Sequence, residues 1–168
     1  MESRLDLGIK PIWDEVDRVR DQAAAFLSGC GLAREEIDAL TMVACELAEN
    51  AVKYGDFHGD DLVRVSLVRR PRDVIVEVKN RVNEAGSQDL IAMDKTIQWV
   101  RGFQDPFEAY IARLEEVSAK DIYDKESRLG LTRIAYEGQS ILDFYIDDTS
   151  TLSVSAVFRL QGSSGGPS

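Results

Sequence analysis

Glu46, Asn50 and Lys53 stand at positions i, i+4 and i+7. At about 100° per residue these positions fall on one stripe of an α-helix, so the side chains project into one region. A carboxylate, an amide and an amine converging in this way match what phosphoryl transfer needs. The carboxylate can orient or deprotonate a hydroxyl. The amide oxygen can ligate Mg²⁺, a hard ion that takes oxygen ligands. The amine can balance phosphate charge. The same residues also suit a solvated helix edge, and spacing by itself admits both readings. Glu49 and Val52 point elsewhere on the same wheel.

The helix that positions this stripe is predicted from near Ala33 to Tyr54. Leu40, Val43, Leu47, Ala51 and Tyr54 share its core face. Glu35 and Glu36 lie in the first turn, where carboxylates suit the helix dipole. Gly55 supplies the C-terminal stop. An earlier helix is expected to open at Pro11 and run to about Ser28, with Val16, Val19, Ala23 and Phe26 on one face. Gly29-Cys30-Gly31 ends it. Before it, Leu5, Leu7 and Ile9 alternate, which predicts a short edge strand over Arg4 to Ile9.

After the second helix, Val63, Val65 and Leu67 alternate, and then Val74, Val76 and Val78 do so. Arg69 to Asp73 turns between them, giving a hairpin. The three arginines of that turn read as solvated turn residues or as a small binding patch. From Asn83 to Lys125 the pattern is helical. Leu90, Met93, Ile97 and Val100 form one stripe; Phe107, Tyr110, Ile111, Leu114 and Val117 form another, opened by a capping box at Asp105-Pro106-Phe107-Glu108. A helix from near Ser127 to Gly138 follows, then a second hairpin of Ile141 to Ile146 and Thr151 to Leu160. This order predicts a two-layer α/β sandwich with a mixed, mainly antiparallel sheet and helices on one face. We expect residues 1–160 to form one domain and residues 161–168 a flexible tail.

The chain has 168 residues and a net charge of −10, which repels phosphate backbones and anionic membrane surfaces. We therefore expect no nucleic-acid partner and no membrane partner. No leader pattern and no apolar run of membrane-spanning length is visible, so a soluble cytoplasmic protein is expected. Cys30 and Cys45 have no metal spacing, and Cys45 reads as a small buried hydrophobe. His58, the sole histidine, lies in the polar stretch Asp56 to Asp61 and reads as a loop residue. One histidine without a partnered serine or cysteine argues against triad hydrolysis.

The segment Glu46-x-x-x-Asn50-Ala51-Val52-Lys53-Tyr54 resembles the N-box of the GHKL (Bergerat-fold) ATPases. Its flanks most resemble the bacterial anti-sigma-factor serine kinases: a short strand, a long helix, a glycine turn, then Ala33-Arg34-Glu35-Glu36-Ile37. The resemblance covers about residues 4–80 and returns at about 127–160. It implies ATP and Mg²⁺ as cofactors, Glu46 as the catalytic base, Asn50 as the Mg²⁺ ligand and Lys53 near the phosphates. It also implies a protein partner, either a STAS-type anti-anti-sigma factor or a sigma factor, and phosphorylation of the former on serine. A non-catalytic adaptor of the same fold is the alternative.

Two motifs depart from the family pattern. Asn80 stands where the family's Asp accepts the adenine amino group, and no glycine follows until Gly86. An Asn still accepts a hydrogen bond through its carbonyl oxygen. The family's Gly-x-Gly is half present in Ser127-Arg128-Leu129-Gly130-Leu131: Gly130 matches its second glycine and Arg128 replaces the first. Backbone N–H groups there can bind phosphate at a helix N-terminus. Between these motifs lies a helical lid insertion at about 84–126. It reads as an extension of the core, or as a cover over the pocket, a homodimer face or a partner face.

Overall fold

The computed structural model describes residues 2–55, 57–81, 140–146 and 151–160, with the backbone alone for Tyr54 and residues 142–146. The expected lid, Arg128, Gly130 and the helix expected from Ser127 lie outside these residues, as does the tail.

Seven elements follow one another: β1 (Ser3–Ile9), α1 (Trp13–Ser28), α2 (Arg34–Tyr54), β2 (Val63–Arg69), β3 (Asp73–Arg81), β4 (Ser140–Ile146) and β5 (Thr151–Arg159). The five strands form one sheet in the order β1-β2-β3-β5-β4. All four pairings among the described strands are antiparallel, so the described sheet holds none of the parallel pairs that a mixed sheet would have. β1 is the edge strand that its short alternating pattern predicts.

The alternation sets the two faces. On β3, Val74, Val76, Val78 and Asn80 are buried, while Asp73, Ile75, Glu77 and Lys79 are half-buried on the other face. β2 buries Val63, Val65 and Leu67, and β5 buries Leu152, Val154, Ala156 and Phe158. Both helices pack over this inner face, α1 mainly against β1 and α2 mainly against β3. Fully burying one such aliphatic side chain contributes roughly 1.5–3 kcal/mol, so the inner face is the main source of cohesion. The opposite face carries Arg4, Asp6, Arg64, Ser66, Glu77 and Lys79 around a shallow hollow.

α1 begins two residues later than Pro11 predicts. The Ile12 N–H donates to the Lys10 carbonyl at 2.8 Å, which closes a three-residue turn around Pro11. The fixed φ of proline suits such a turn as well as it suits a first helical residue. Ile12 is extended at the N-cap, and no side chain caps the helix there. α2 starts at Arg34; the Glu36 carboxylate reaches back to accept the Ala33 N–H at 3.1 Å. α2 ends at Tyr54, as expected, and the Gly55 N–H donates to the Ala51 carbonyl at 2.9 Å.

Candidate functional site

The described part of the α2 wheel divides as the sequence predicts, the side chain of Tyr54 lying outside the described residues. Leu40, Val43, Leu47 and Ala51 are buried, with Ala44 and Ala48 beside them. Glu46 and Asn50 are half-buried, and Lys53 is exposed. The stripe is thus graded: its first two members lie at the rim of the core and the third reaches solvent. Cys45 and Glu49 face α1, where Arg20 acts on both electrostatically, so at about 100° per residue Asn50 lies on the flank away from α1.

The topology brings Asn80 to the same end. α2 leads through a short loop into β2, and Arg64 near the start of β2 pairs with Lys79 near the end of β3. The last turns of α2 and the last residues of β3 therefore share one end of the domain. Asn80 is only 4% exposed and continues the inward-facing row of valines. A buried amide is costly without hydrogen bonds. Its Nδ2 donates to the Arg81 carbonyl oxygen at 3.0 Å.

A turn supports this end. The Asp61 N–H donates to the His58 carbonyl at 3.1 Å, and Gly59 takes φ +59 within it, a conformation that favours glycine. His58 thus sits in the expected polar loop. No group of three or more metal-ligating side chains is found among the described residues.

Glu46 also borders an open hollow on the outer side of α2, lined by Arg20, Asp38, Thr41, Met42, Cys45 and Glu49. Residue types alone did not point to this hollow, because Arg20 comes from the other helix. Burial pushes the Cys45 thiol up to about 11, opposed by the nearby Arg20. Cys45 is therefore a protonated, buried small side chain, as expected.

Glu46, Asn50 and Lys53 thus lie along the last turns of α2, and Asn80 lies at the end of β3 on the same end of the domain. The sequence profile of the histidine kinase-like ATPase domain matches residues 12–98, more than half of the chain. This chain belongs to the histidine kinase-like ATPase family. The matched span contains α1, α2, β2 and β3 and so includes Glu46, Asn50, Lys53 and Asn80. Among solved structures, a chain of the SiaB–SiaC complex from Pseudomonas aeruginosa has the same fold, with a TM-score of 0.70 and 18% identity. The match covers 92% of this chain and 88% of that one. No curated protein matches this chain.

The graded stripe on α2 is the segment whose sequence resembles the family's N-box, and it lies inside the matched span. Asn80 lies at the strand end, where its resemblance to the family pattern puts the purine-facing residue. Arg128 and Gly130, the expected phosphate-side residues, lie outside the described residues. Among the described residues, no helix is long and apolar enough to cross a membrane.

Proposed function

We propose that this chain is a regulator of the anti-sigma-factor kind, acting in partner switching and carrying a Mg²⁺–nucleotide site on the flank of α2. The observation that carries this reading is that half-buried Glu46 and Asn50 lie on α2, whose last turns share one end of the domain with buried Asn80 at the end of β3. The residues fit the group. Glu46 and Asn50 offer oxygen atoms, which suit a hard cation, and Asn80 offers a hydrogen-bonding edge at the end of the core. In this reading Asn50 would hold Mg²⁺, and exposed Lys53 would face phosphate charge. Bound ATP would supply a transferable phosphoryl group. Glu46 would accept the proton of a serine hydroxyl on the partner.

The partner class is proposed to be a STAS-type or sigma-type protein in the cytoplasm. The SiaB–SiaC likeness supports a protein partner in general terms, since that structure is itself a complex. A second reading, a non-catalytic adaptor, draws on Asn80, because a neutral amide engaged with the Arg81 carbonyl replaces the family's carboxylate. Incubation of the purified chain with a STAS-type protein and labelled ATP separates the two. Serine phosphorylation that Glu46→Gln abolishes supports the kinase. Stable binding without phosphate transfer, unaffected by Asn50→Ala, supports the adaptor.

A further inference from the structure

β1 closes one edge of the sheet, and among the described residues it pairs with β2 alone. Its ladder runs unbroken from Ser3 to Ile9, with no bulge and no proline. Edges that must stay single are usually blunted by such devices, because a row of unpaired N–H and C=O groups invites another strand. Among the described residues, only the far end of β1 is engaged by side chains of α1. The Arg18 Nη1 donates to the Gly8 carbonyl at 3.3 Å, and the Lys10 N–H just beyond donates to the Glu15 carboxylate at 3.3 Å. The backbone edge from Ser3 to Leu7 has no such cover among the described residues.

This stretch is complementary to itself. Two copies of one strand that pair antiparallel about a two-fold axis are centred on one residue, because opposite residues must both turn their N–H and C=O the same way. Centring on Arg4 or on Asp6 sets like charges directly opposite, which is destabilising. Centring on Leu7 or beyond draws on the Gly8 backbone that Arg18 engages. Centring on Leu5 sets Arg4 of each copy opposite Asp6 of the other, Leu5 opposite Leu5, and Ser3 opposite Leu7. Arg4 and Asp6 already form an ion pair at 2.8 Å on the outer face, both more than half exposed. Between two copies that pair becomes a ring of four alternating charges. On the other face Leu5 is only half-buried, so its counterpart would cover apolar surface that the single chain leaves wet.

We propose that the β1 edge is a self-docking surface, on which a second copy of this chain pairs antiparallel, centred on Leu5, to make one continuous sheet. One strand pair is small against the roughly 1,200–2,000 Å² of a stable interface, so the dimer exchanges with monomer. The inference is independent of nucleotide binding.

Sedimentation velocity of the full chain over a dilution series tests it, beside Arg4→Asp, Asp6→Arg and an equimolar mixture of those two variants. The unaltered chain should dimerise reversibly. Each single variant sets two pairs of like charges opposite and should weaken association by about tenfold or more. The mixture should restore association as a heterodimer, since one variant is acidic at both positions and the other basic. Circular dichroism reports whether the variants are folded. If a single variant is not, the double variant Arg4→Asp, Asp6→Arg decides, because it keeps the pairs with their signs exchanged and should dimerise as the unaltered chain does. An unaltered chain that stays monomeric at every concentration would overturn the proposal. So would a dimer that both single variants leave unchanged, a mixture that stays monomeric, or a folded double variant that does not dimerise.

Discussion

Arg81, the last residue of β3, lies 4.0 Å from the carboxylate of Asp61, and the same carboxylate oxygen accepts the His58 N–H at 3.0 Å. One side chain thus ties the turn after α2 to the strand end that carries Asn80. The ion pair is partly exposed, so it contributes at most about 1 kcal/mol. Asp61→Ala should therefore leave global stability nearly unchanged. It should speed hydrogen exchange at the His58 amide, because the turn loses its anchor.

Gly55 should be intolerant of a side chain. A Cβ there would collide with the Phe57 ring and lie 2.7 Å from the Ala51 carbonyl oxygen. The backbone at Gly55 is extended, so the obstacle is space rather than dihedral angle. Gly55→Ala must displace Phe57 or the end of α2, at a cost of about 1–3 kcal/mol, the usual range for overpacking. Urea denaturation checks this. A companion Gly55→Ala, Phe57→Ala variant should recover part of the loss.

The two sides of α2 should respond differently to truncation. Leu47 is 3% exposed within the core, and Leu47→Ala should cost about 2–5 kcal/mol. Lys53 is exposed, and Lys53→Ala should stay within about 0.5 kcal/mol. Equal effects in chemical denaturation would contradict the graded stripe.

Cys45 predicts an alkaline limb of stability. Its ordinary value of 9.0 is raised to about 11 in the fold, chiefly by burial. The unfolded chain therefore ionises first as pH rises. The stabilisation is intact below the ordinary value and is lost as pH climbs from 9.0 towards 11. Cys45→Ala should flatten that decline in melting temperature. At neutral pH a thiol reagent should label half-buried Cys30 before buried Cys45.

Much of this end of the fold was legible because α2 repeats one pattern over 21 residues. Leu40, Val43, Leu47 and Ala51 could hardly point anywhere but inward, and that fixed the direction of Glu46 and Asn50. The paired valines of β2 and β3 likewise declared a hairpin with one inner face. Contacts that join separate elements were not legible. Asp61 meets Arg81 only because the hairpin brings residues twenty apart together. Phe57 lies close against Gly55, and Arg20 meets Cys45 only once the helices pack. The start of α1 was misplaced because proline serves a tight turn and a first helical turn equally well.

Should phosphate transfer occur, Glu46→Gln should lower its rate by about 10²- to 10⁴-fold, the usual contribution of a positioned general base. Nucleotide affinity should change little, since the amide keeps the shape of the carboxylate. Single-turnover kinetics with labelled ATP separate the two effects.

The central claim is that α2 and the end of β3 form a Mg²⁺–nucleotide site. Calorimetric titration of the chain with ADP and ATP, with and without Mg²⁺, tests it most directly, using Asn50→Ala as the comparison. The account predicts Mg²⁺-dependent binding that the substitution weakens strongly. Absence of binding at millimolar nucleotide, in a chain that is folded, would contradict it and leave a protein-binding scaffold in its place.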